Sequence, residues 1–600
     1  MLKQRTVGFL TFALNYKLDG FHERGYHLVN VIIHLLNGLL VYALCLLTLD
    51  TPFLRATPIS GRKTLVALLC ALLFIAHPVQ TSAVNYVYQR LALLATMFSL
   101  LTFVLYARWR LCSFRPGGPA GGWRPLAWYG GALLALALGM KTKENTFTVP
   151  FVIALYELLF FRGPVRKRAI NLIPLGMTLF IIPLTQFVSM GRGFGQVSSE
   201  YDKMGYNWIH FILTQLRVLV TYIRLLFLPA GLRLEYDYPL FTSFWDAPVI
   251  LSFAAHCLIL GLAGYLIRRS SSRDRELRLI AFGILWFYCF NIMESSILAF
   301  VTMIILEYRV YMPSVGFFMA AATGVELLRR KMPSRKAQMA FSALLVLVVV
   351  TMSAATYARN EVWRDEARFW EDTVKKSPGR FVPYVNLGAV YKRRGRLAEA
   401  ALALQSAIRL QPNYADAYVS LGEVYRFQGR PEEARRMLGM ALTINPGLAA
   451  AHQGMGCLYD DLGRYDEAVR EFDTAIRIDP ANAQIHDDLG ISYARQKRHD
   501  EAEREFTAAL RLDRDHVNAR LHLGMLYDDE GKNSEAIAQL REALRLDRGN
   551  AEGHYNLGLA YTHGNRYAEA IQELRRALEI NPDHAAARLE LLQLTGNAKR

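Results

Sequence analysis

The sequence predicts an all-α chain, in which a polytopic helical membrane domain is followed by an α-solenoid of helical hairpins. Three observations support this prediction. Apolar runs of membrane-crossing length recur up to residue 358, a 34-residue period fills residues 381–600, and the positive charge is concentrated in the first part. We therefore place the membrane domain at 1–358, a half-repeat junction at 359–380, and six repeats with a C-terminal cap at 381–600.

Composition and charge exclude several classes of protein. Of the 600 residues, 52% are hydrophobic and only 20% are charged, which excludes a disordered chain. The net charge is +17, but residues 1–358 hold 34 Lys and Arg against 15 Asp and Glu, whereas residues 359–600 hold 35 against 37. Basic residues that flank apolar segments indicate membrane topology, so we expect no nucleic-acid partner.

Ten apolar runs are near the length that crosses about 30 Å of hydrocarbon. An eleventh segment, 208–228, carries Gln215, Arg217 and Arg224 in its middle, and we expect it to lie at the membrane interface because mid-bilayer charges are costly. The ten expected spans are about 26–48, 64–77, 87–107, 126–140, 147–161, 169–189, 247–267, 279–297, 310–328 and 337–358.

The orientation follows from the charge of the connecting loops. Five short loops contain 21 Lys and Arg in 59 residues, whereas the alternate segments contain 12 in 119 residues. The positive-inside rule then places residues 1–25 and the chain after 358 on the non-cytoplasmic side. We expect a multi-pass membrane protein with its repeats on the non-cytoplasmic side, which is the periplasm where the membrane is a bacterial inner membrane. The basic loops are 49–63, 108–125, 162–168, 268–278 and 329–336.

The repeats are defined by small residues at fixed spacing. Gly388 and Gly422 begin a series of six glycines 34 residues apart, and a tyrosine follows each glycine three positions later. The period and pattern resemble the tetratricopeptide repeat, a helical hairpin whose small residues let two helices approach. Asp365–Pro378 fits the second helix of a preceding half-repeat.

Stacked repeats of this kind form a concave groove that suits a peptide or protein partner. First-helix positions are expected to face it, and their charges alternate in sign; ordinary solvated charge is the competing interpretation. The histidines of the repeats lie about a full period apart without close second ligands, so we expect no metal site. The candidate peptide-binding residues are Asn386, Lys392, Arg393, Arg426, Asp460, Asp461, Asp528 and Asn556.

Polar clusters lie at the predicted outer ends of the membrane helices, while GxxxxGK[ST], GxGxxG and HExxH motifs are missing. Intramembrane ionisable groups are functional candidates, and the competing interpretation is hydrogen bonding between helices with interfacial anchoring. His34 and Asn37 individually fit the second interpretation, whereas the one-sided cluster as a whole favours a site.

Four segments, followed by the repeats, resemble the transmembrane and tetratricopeptide repeat family in its prokaryotic form. They read YHLVNVIIHLLNGLLVY, HPVQTSAVNYVYQRLALLATMFSL, KTKENTFTVPFVIALYELLFF and ESSILAFVTMIILEYRVYMPSVGF. The resemblance implies a GT-C-like membrane glycosyltransferase related to O-mannosyltransferases. Such an enzyme transfers a sugar from a polyprenyl-phosphate donor to an acceptor protein on the non-cytoplasmic side, and no further cofactor is implied.

Under this resemblance each polar residue receives a role. A carboxylate deprotonates the acceptor hydroxyl, and cationic groups stabilise the departing lipid phosphate. Glu235 and Asp237 are the second-choice bases, whereas Glu144, Glu294 and Glu307 orient the cations or hold the sugar. The residues expected at the lipid phosphate are His77, Arg90, Lys141, Lys143 and Arg309.

The family begins with a further helix and an outer loop that carries an acidic pair, thought to supply the base. This sequence starts downstream, at Arg5–Tyr16, and Asp19 and Glu23 do not match that pair. We therefore expect either a start codon placed too late or a truncated protein. The alternative function is a non-enzymatic membrane scaffold whose repeats assemble an envelope complex.

Overall fold

A computed structural model describes residues 5–20, 22–112, 123–182, 184, 208–270, 274–294 and 304–597. These residues form helices joined by turns and loops, as expected for an all-α chain. The chain divides into two compact units, Met1–Pro378 and Gly379–Arg600.

The first unit contains fourteen α-helices among its described residues. A helix lies over the described part of each apolar run of the sequence. The helices are α1 Thr6–Asp19, α2 Glu23–Leu49, α3 Lys63–Ala76, α4 Thr81–Asn85, α5 Arg90–Cys112, α6 Trp123–Met140, α7 Val149–Phe160, α8 Val165–Met177, α9 Trp208–Phe227, α10 Ala247–Arg269, α11 Leu277–Glu294, α12 Pro313–Arg330, α13 Arg335–Trp363 and α14 Glu366–Lys376.

Five helices in the described residues are long and apolar enough to cross a membrane, and a bent pair makes a sixth. The bent pair is Ser60–Ala76 with Pro78–Asn85, which meet at 51°. The break follows His77, whose extended backbone and following proline stop α3. Ile209–Phe227, the segment expected at the interface, meets the same length and composition criteria. Several other expected spans fall on shorter helices.

Helices α11 and α12 cross at two facing glycines. A Cβ atom added to Gly283 would collide with the carbonyl oxygen of Gly316, and one added to Gly316 would lie 2.6 Å from the Cβ of Trp286. Small residues at a crossing permit close backbone approach, which is how membrane helices gain packing energy without a hydrophobic driving force between them. This crossing fixes α12, which begins directly after the candidate site.

The second unit is a series of antiparallel helix pairs. Each pair corresponds to one 34-residue repeat, so the predicted solenoid of tetratricopeptide repeats is confirmed. Its helices are α15 Phe381–Arg393, α16 Leu397–Leu410, α17 Ala415–Phe427, α18 Pro431–Ile444, α19 Ala449–Asp461, α20 Tyr465–Ile478, α21 Ala483–Arg495, α22 His499–Leu512, α23 Val517–Asp529, α24 Asn533–Leu546, α25 Ala551–His563, α26 Tyr567–Ile580 and α27 Ala585–Asn597.

The periodic residues have the predicted packing role. A Cβ on Gly456 would lie 2.7 Å from a ring carbon of Phe472, because the two helices of the hairpin touch there. A second device closes the turn between the helices. Arg464 stacks 4.6 Å from the centroid of Tyr459 and pairs with Glu467 at 2.7 Å. Equivalent stacking recurs at Arg396, Arg430, Arg498 and Arg566.

Candidate functional site

Polar residues from distant parts of the first unit meet where several helices begin or end. We call this region the polar end. The amide of Val7 donates to the carbonyl of Lys141 at 3.2 Å, and Gln80 Nε2 donates to Ser314 Oγ at 3.0 Å. These contacts join the start of α1 to the end of α6 and the break after α3 to the start of α12. The polar clusters of the sequence are thus brought together by the fold.

Arg90 lies at the start of α5 and is fully buried. Its guanidinium donates to Asn30 Oδ1 at 2.9 Å and to the carbonyl oxygens of Thr11 and Tyr26 at 3.2 and 3.0 Å. The Phe12 ring lies 4.5 Å from the guanidinium carbon. Carbonyl dipoles and an aromatic face stabilise this buried charge, so the arginine fastens α1 and α2 to α5.

His77 is also fully buried, and both of its ring nitrogens are hydrogen-bonded to backbone groups. Its Nδ1 accepts a hydrogen bond from the Val79 amide at 3.2 Å, while its Nε2 lies 3.1 Å from the carbonyl oxygen of Leu226. A ring nitrogen that accepts from an amide carries no proton, so Nε2 carries it and the imidazole is neutral. Such a histidine positions the break after α3 rather than offering a positive charge to a phosphate.

His34 and Asn37 form a closed network with Tyr311. The Tyr311 hydroxyl lies 2.7 Å from His34 Nδ1 and accepts from Asn37 Nδ2 at 3.2 Å. His34 Nε2 is bonded to the carbonyl of Ile75, and Asn37 also donates to that of Leu93. These side chains hold helices together, in agreement with the interhelical interpretation of their sequence positions.

A half-exposed group of charged and aromatic side chains surrounds the segment between α6 and α7. Arg5 binds both carboxylate oxygens of Glu144 at 3.0 Å, and Arg5 Nη1 reaches the Tyr88 hydroxyl at 3.5 Å. Lys143 Nζ lies 5.1 Å from the centroid of the Tyr308 ring. This arrangement places a lysine and an arginine beside two phenols at the polar end.

Glu307 lies in a short 3₁₀ turn, Glu307–Val310, and is only 2% exposed. Its Oε1 accepts hydrogen bonds from the Arg233 amide at 2.5 Å and from the Tyr236 hydroxyl at 2.7 Å. Its Oε2 is buried and has no hydrogen-bond partner in the part of the chain that the structure describes. Burial raises the pKa of Glu307 to about 7, although the Tyr236 hydrogen bond lowers it.

The 228–246 segment, which supplies the Arg233 and Tyr236 donors to Glu307, is hydrogen-bonded to the end of α14. Arg233 donates to the carbonyl of Lys376, Lys376 Nζ donates to that of Leu232 at 2.9 Å, and Ser377 Oγ donates to that of Glu235 at 2.6 Å. With a further bond from Arg233 Nη1 to Ser377 Oγ at 3.3 Å, four hydrogen bonds join the 228–246 segment to the last residue of α14 and the residue after it.

Two basic side chains, Arg359 and Lys376, lie close enough to Glu307 to act on its charge. Arg359 Nη1 and Lys376 Nζ both bind Asp372 Oδ2, at 2.7 and 2.8 Å. Both cations also favour the ionised form of Glu307 and so oppose the rise in its pKa that burial causes. Arg359 Nε and Nη2 are buried without a partner among the described residues.

The remaining predicted residues of this unit are placed as follows. Glu235 is buried, Asp237 is exposed and Lys141 is half-buried. Arg309 is 5% exposed and its Nη1 lies 3.4 Å from the carbonyl oxygen of Ile304. Glu294 ends α11, and its side chain lies outside the described residues. Among the predicted carboxylates, Glu307 combines two hydrogen-bond donors on one oxygen with a second oxygen that has no partner in the described residues.

Most of the predicted groove charges are paired across neighbouring repeats. Arg426 Nη1 binds Asp461 Oδ2 at 2.5 Å, and Arg495 Nη1 binds Asp460 Oδ2 at the same distance. Lys392 pairs with Glu423, and His563 lies 2.9 Å from Asp528. A ligand at these positions would compete with partners already present in the solenoid.

Two asparagines expected to clamp a peptide occupy the same position, five repeats apart. Asn386 is half-buried and Asn556 is 6% exposed, with an Nδ2 atom that has no partner in the described chain. Arg393 is exposed at the end of α15. The unused donor of Asn556 makes it the strongest of the predicted groove positions.

Sequence reasoning missed Arg233, Tyr236, Tyr308 and Arg5 as members of the polar end. Arg233 and Tyr236 lie on either side of Glu235, a predicted base, and Tyr308 lies between Glu307 and Arg309. The positions of Arg233, Tyr236 and Tyr308 close to predicted carboxylates were the signal in the sequence that could have identified these three residues. Residue type alone did not reveal that the amide of Arg233 and the phenol of Tyr236 share one oxygen of Glu307.

Comparison with curated proteins finds several protein O-mannosyl-transferases. The chain is 26% identical to the Drosophila melanogaster "Protein O-mannosyl-transferase Tmtc3" over 461 residues, which cover 67% of this chain and 48% of the relative. It is 27% identical to the human "Protein O-mannosyl-transferase TMTC4", with 66% and 56% covered. The resemblance to this family is confirmed, and the chain spans about half the length of the curated relatives it matches.

The repeats also match known models and structures. The family model "Cilia and flagella-associated protein 70 C-terminal domain" matches residues 345–592. The solved structure titled "Crystal structure of YrrB: a TPR protein with an unusual peptide-binding site" is 27% identical, covers 32% of this chain and 97% of its own, and has a TM-score of 0.25. Pseudomonas aeruginosa pilF is 21% identical, with 36% and 97% covered and a TM-score of 0.31. The curated relatives and the apolar helices make the chain a membrane protein, and its 34-residue helix pairs are tetratricopeptide repeats, a repeat type that binds proteins or peptides.

Proposed function

We propose that this protein is a GT-C-like membrane glycosyltransferase that moves a sugar from a polyprenyl-phosphate donor to an acceptor protein on the non-cytoplasmic side. The observation that carries the proposal is the 307–310 turn. Within this turn Glu307 accepts hydrogen bonds from Tyr236 and Arg233, and the ring of Tyr308 lies against Lys143. Neighbouring residues of one turn therefore hold a carboxylate oxygen without a hydrogen-bond partner among the described residues and a contact with a cation. The reaction class comes from the relatives, which are named protein O-mannosyl-transferases.

In the proposed reaction the acceptor hydroxyl oxygen bonds to the anomeric carbon of the sugar. The bond from that carbon to the phosphate oxygen breaks, and polyprenyl phosphate leaves with the electron pair. The hydroxyl proton passes to a carboxylate, for which Glu307 Oε2 is the first candidate because no described residue occupies it. Its pKa, raised to about 7, suits proton transfer near neutral pH better than that of an ordinary glutamate.

Stabilisation of the leaving phosphate falls to the half-exposed cations. Lys143 lies against Tyr308, next in sequence to Glu307, and it is not fully buried. Its ammonium group suits a phosphate whose negative charge grows as the sugar departs. Arg5, bound to Glu144, adds a second cation beside Tyr88. Arg90 and His77 support the site as positioning residues, because their polar atoms are bonded to the fold.

The repeats would capture the acceptor protein or a partner. A stacked array offers a long concave surface, and Asn556, a first-helix position, has a buried amide nitrogen without a hydrogen-bond partner among the described residues. The distribution of charge over the loops supports a periplasmic location for this surface, because the basic loops are expected to stay in the cytoplasm.

Deletion and complementation in the source organism test the proposal. We expect loss of a hexose from envelope proteins on deletion, detected by glycopeptide mass spectrometry, and recovery with the wild-type gene. Glu307→Gln and Lys143→Gln should fail to restore it. The matched controls Glu361→Gln and Lys331→Gln, exposed or half-exposed residues of the same unit, should restore it.

Each outcome of that experiment decides between the two functions. Unchanged glycosylation in the deletion strain, together with loss of an envelope complex when the repeats are removed, would establish the scaffold alternative. Full complementation by Glu307→Gln would remove that residue from the proposed chemistry. Comparable amounts of each variant in membranes must accompany both comparisons.

A further inference from the structure

Three arginines surround one phenylalanine at the opposite end of the first unit. The guanidinium carbons of Arg162, Arg275 and Arg278 lie 5.6, 5.7 and 3.7 Å from the centroid of the Phe53 ring. Phe53 follows the end of α2, Arg162 follows the end of α7, and Arg278 lies in the first turn of α11. We call these four residues the arginine site.

The convergence is fixed by the fold. Phe53 is 5% exposed and belongs to the hydrophobic core of the unit. Arg278 Nη1 donates to the carbonyl of Leu159 at 2.9 Å, and its Nε donates to Ser270 Oγ at 2.9 Å. These bonds fasten the start of α11 to the end of α7 and hold the Arg278 guanidinium against the Phe53 ring.

The aromatic ring does not compensate three charges. A cation gains most when it lies directly against a ring face, and the attraction fades near 6 Å from the centroid, roughly the limit of such contacts. Arg278 meets the first condition, whereas Arg162 and Arg275 lie close to the limit. Their mutual repulsion is therefore left largely unrelieved by Phe53.

The carboxylates described at this end are already paired with other cations. Neither Arg162 nor Arg275 has an acidic partner among the described residues, and Arg162 is exposed while Arg275 is half-exposed. The existing pairs are Asp50–Lys63, Glu157–Arg110, Asp274–Arg269, Glu276–Arg330 and Glu326–Arg329.

We propose that the arginine site binds a phosphate group, and that the phosphate belongs to the headgroup of an anionic membrane lipid. Guanidinium groups present paired N–H donors that match two phosphate oxygens, and a phosphate between three of them relieves their repulsion. The site lies where α2 and α7 end and α11 begins, in loops expected to face the cytoplasm, the side on which anionic headgroups attract basic residues next to membrane helices. It is separate from the polar end and does not depend on the proposed transferase activity.

The test uses the full purified chain, stripped of lipid in a neutral detergent. Short-chain phosphatidylglycerol, short-chain phosphatidylcholine and inorganic phosphate are titrated separately, and binding is followed by native mass spectrometry. We expect saturable binding of phosphatidylglycerol, at least ten-fold weaker binding of phosphatidylcholine, and displacement of phosphatidylglycerol by excess inorganic phosphate. Tighter binding of inorganic phosphate than of the lipid would overturn the lipid assignment.

A matched pair of double variants tests the location. Arg162→Gln with Arg275→Gln should weaken phosphatidylglycerol binding at least ten-fold. Arg166→Gln with Lys167→Gln removes two exposed charges from the same loop region without touching the Phe53 contacts, and it should change binding less than two-fold. If the first double variant does not fold, Arg162→Gln alone, at an exposed position, should still weaken binding at least three-fold. Equal losses in both double variants, or no loss in the first, would overturn the site.

Discussion

At the scale of single residues, Glu307 makes a prediction about pH. Its pKa is about 7 in the fold, because burial disfavours the charge, against 4.5 for an ordinary glutamate. Between these values Glu307 binds more protons in the folded state than in the unfolded state, so its contribution to stability is greatest below 4.5 and falls as pH rises to about 7. The loss is on the order of 3 kcal/mol.

Glu307→Gln removes this titration. Over about pH 5 to 8 the apparent melting temperature of the wild-type protein should therefore fall relative to that of Glu307→Gln, and the difference should level off above about 7. Thermal melts of both proteins in one detergent check this. If the melting temperatures of the two proteins change with pH in the same way across that range, Glu307 is not held in a buried position that disfavours its charge.

Tyr311 makes a second prediction. Its hydroxyl is shared by His34 and Asn37, so Tyr311→Phe leaves two buried polar groups short of a partner. We expect a loss of about 1–3 kcal/mol, seen as a lower melting temperature. Tyr357→Phe, at a tyrosine 66% exposed on α13, is the control and should change stability by less than about 0.5 kcal/mol. Equal effects would contradict the network.

The residue scale is also where sequence reasoning reached its limit. It selected His77 and Arg90 by type and position, yet their partners are carbonyl oxygens of Leu226, Thr11 and Tyr26. A sequence does not show which backbone carbonyls a side chain will contact. From the sequence alone, a buried arginine that fastens helices therefore cannot be distinguished from an arginine that binds phosphate. The structure supplies that distinction through burial and distance.

At the scale of elements, the glycines of the repeats have unequal roles. A Cβ atom added to Gly456 would lie 2.7 Å from a ring carbon of Phe472. A Cβ atom added to Gly439 would have no neighbouring atom within 4 Å. Gly456→Ala should therefore overpack the hairpin and cost about 1–3 kcal/mol. Gly439→Ala, also within a helix, should stabilise by about 0.5–1 kcal/mol because alanine loses less backbone entropy.

Hydrogen exchange of the full chain measures both variants. Amides of α19 and α20 should exchange faster in Gly456→Ala, and those of α18 should exchange no faster in Gly439→Ala. Faster exchange of α18 amides in Gly439→Ala would contradict the packing described for the hairpin. Unchanged exchange of α19 and α20 amides in Gly456→Ala would contradict it as well.

The repeat helices could be predicted closely, because their determinants are local and recur every 34 residues. Membrane helix bounds were less accessible. The run expected at 64–77 ends at Ala76 because His77 and Pro78 break it, and α4 then continues at an angle of 51°. An apolar run indicates where a helix lies but does not specify where a histidine caps the next turn.

At the scale of the whole molecule, the division of charge predicts orientation. The basic loops belong to the membrane unit, and the repeats are nearly neutral, so we expect the C-terminus in the periplasm. Alkaline phosphatase fused after Arg600 should be active, and green fluorescent protein at the same place should be dark. The reverse pattern would place the repeats in the cytoplasm and would contradict the proposed meeting of donor and acceptor.

Contacts between distant segments were beyond the sequence. The 228–246 segment packs on α14 through Arg233, Lys376 and Ser377, more than a hundred residues away. Charge counting treated that segment as an outer loop, and only the fold shows that it closes over Glu307. Long-range pairing of this kind depends on tertiary geometry that local patterns do not encode.

Sugar transfer by the purified protein tests the central claim most directly. The chain is reconstituted in liposomes with radiolabelled mannosyl-phosphoryl-polyprenol and envelope proteins from a deletion strain, and label in protein is counted. We predict transfer by the wild-type protein and by Glu361→Gln, and a rate lower by about 100-fold or more with Glu307→Gln. Equal transfer by Glu307→Gln, or none by the wild-type protein, would contradict the account.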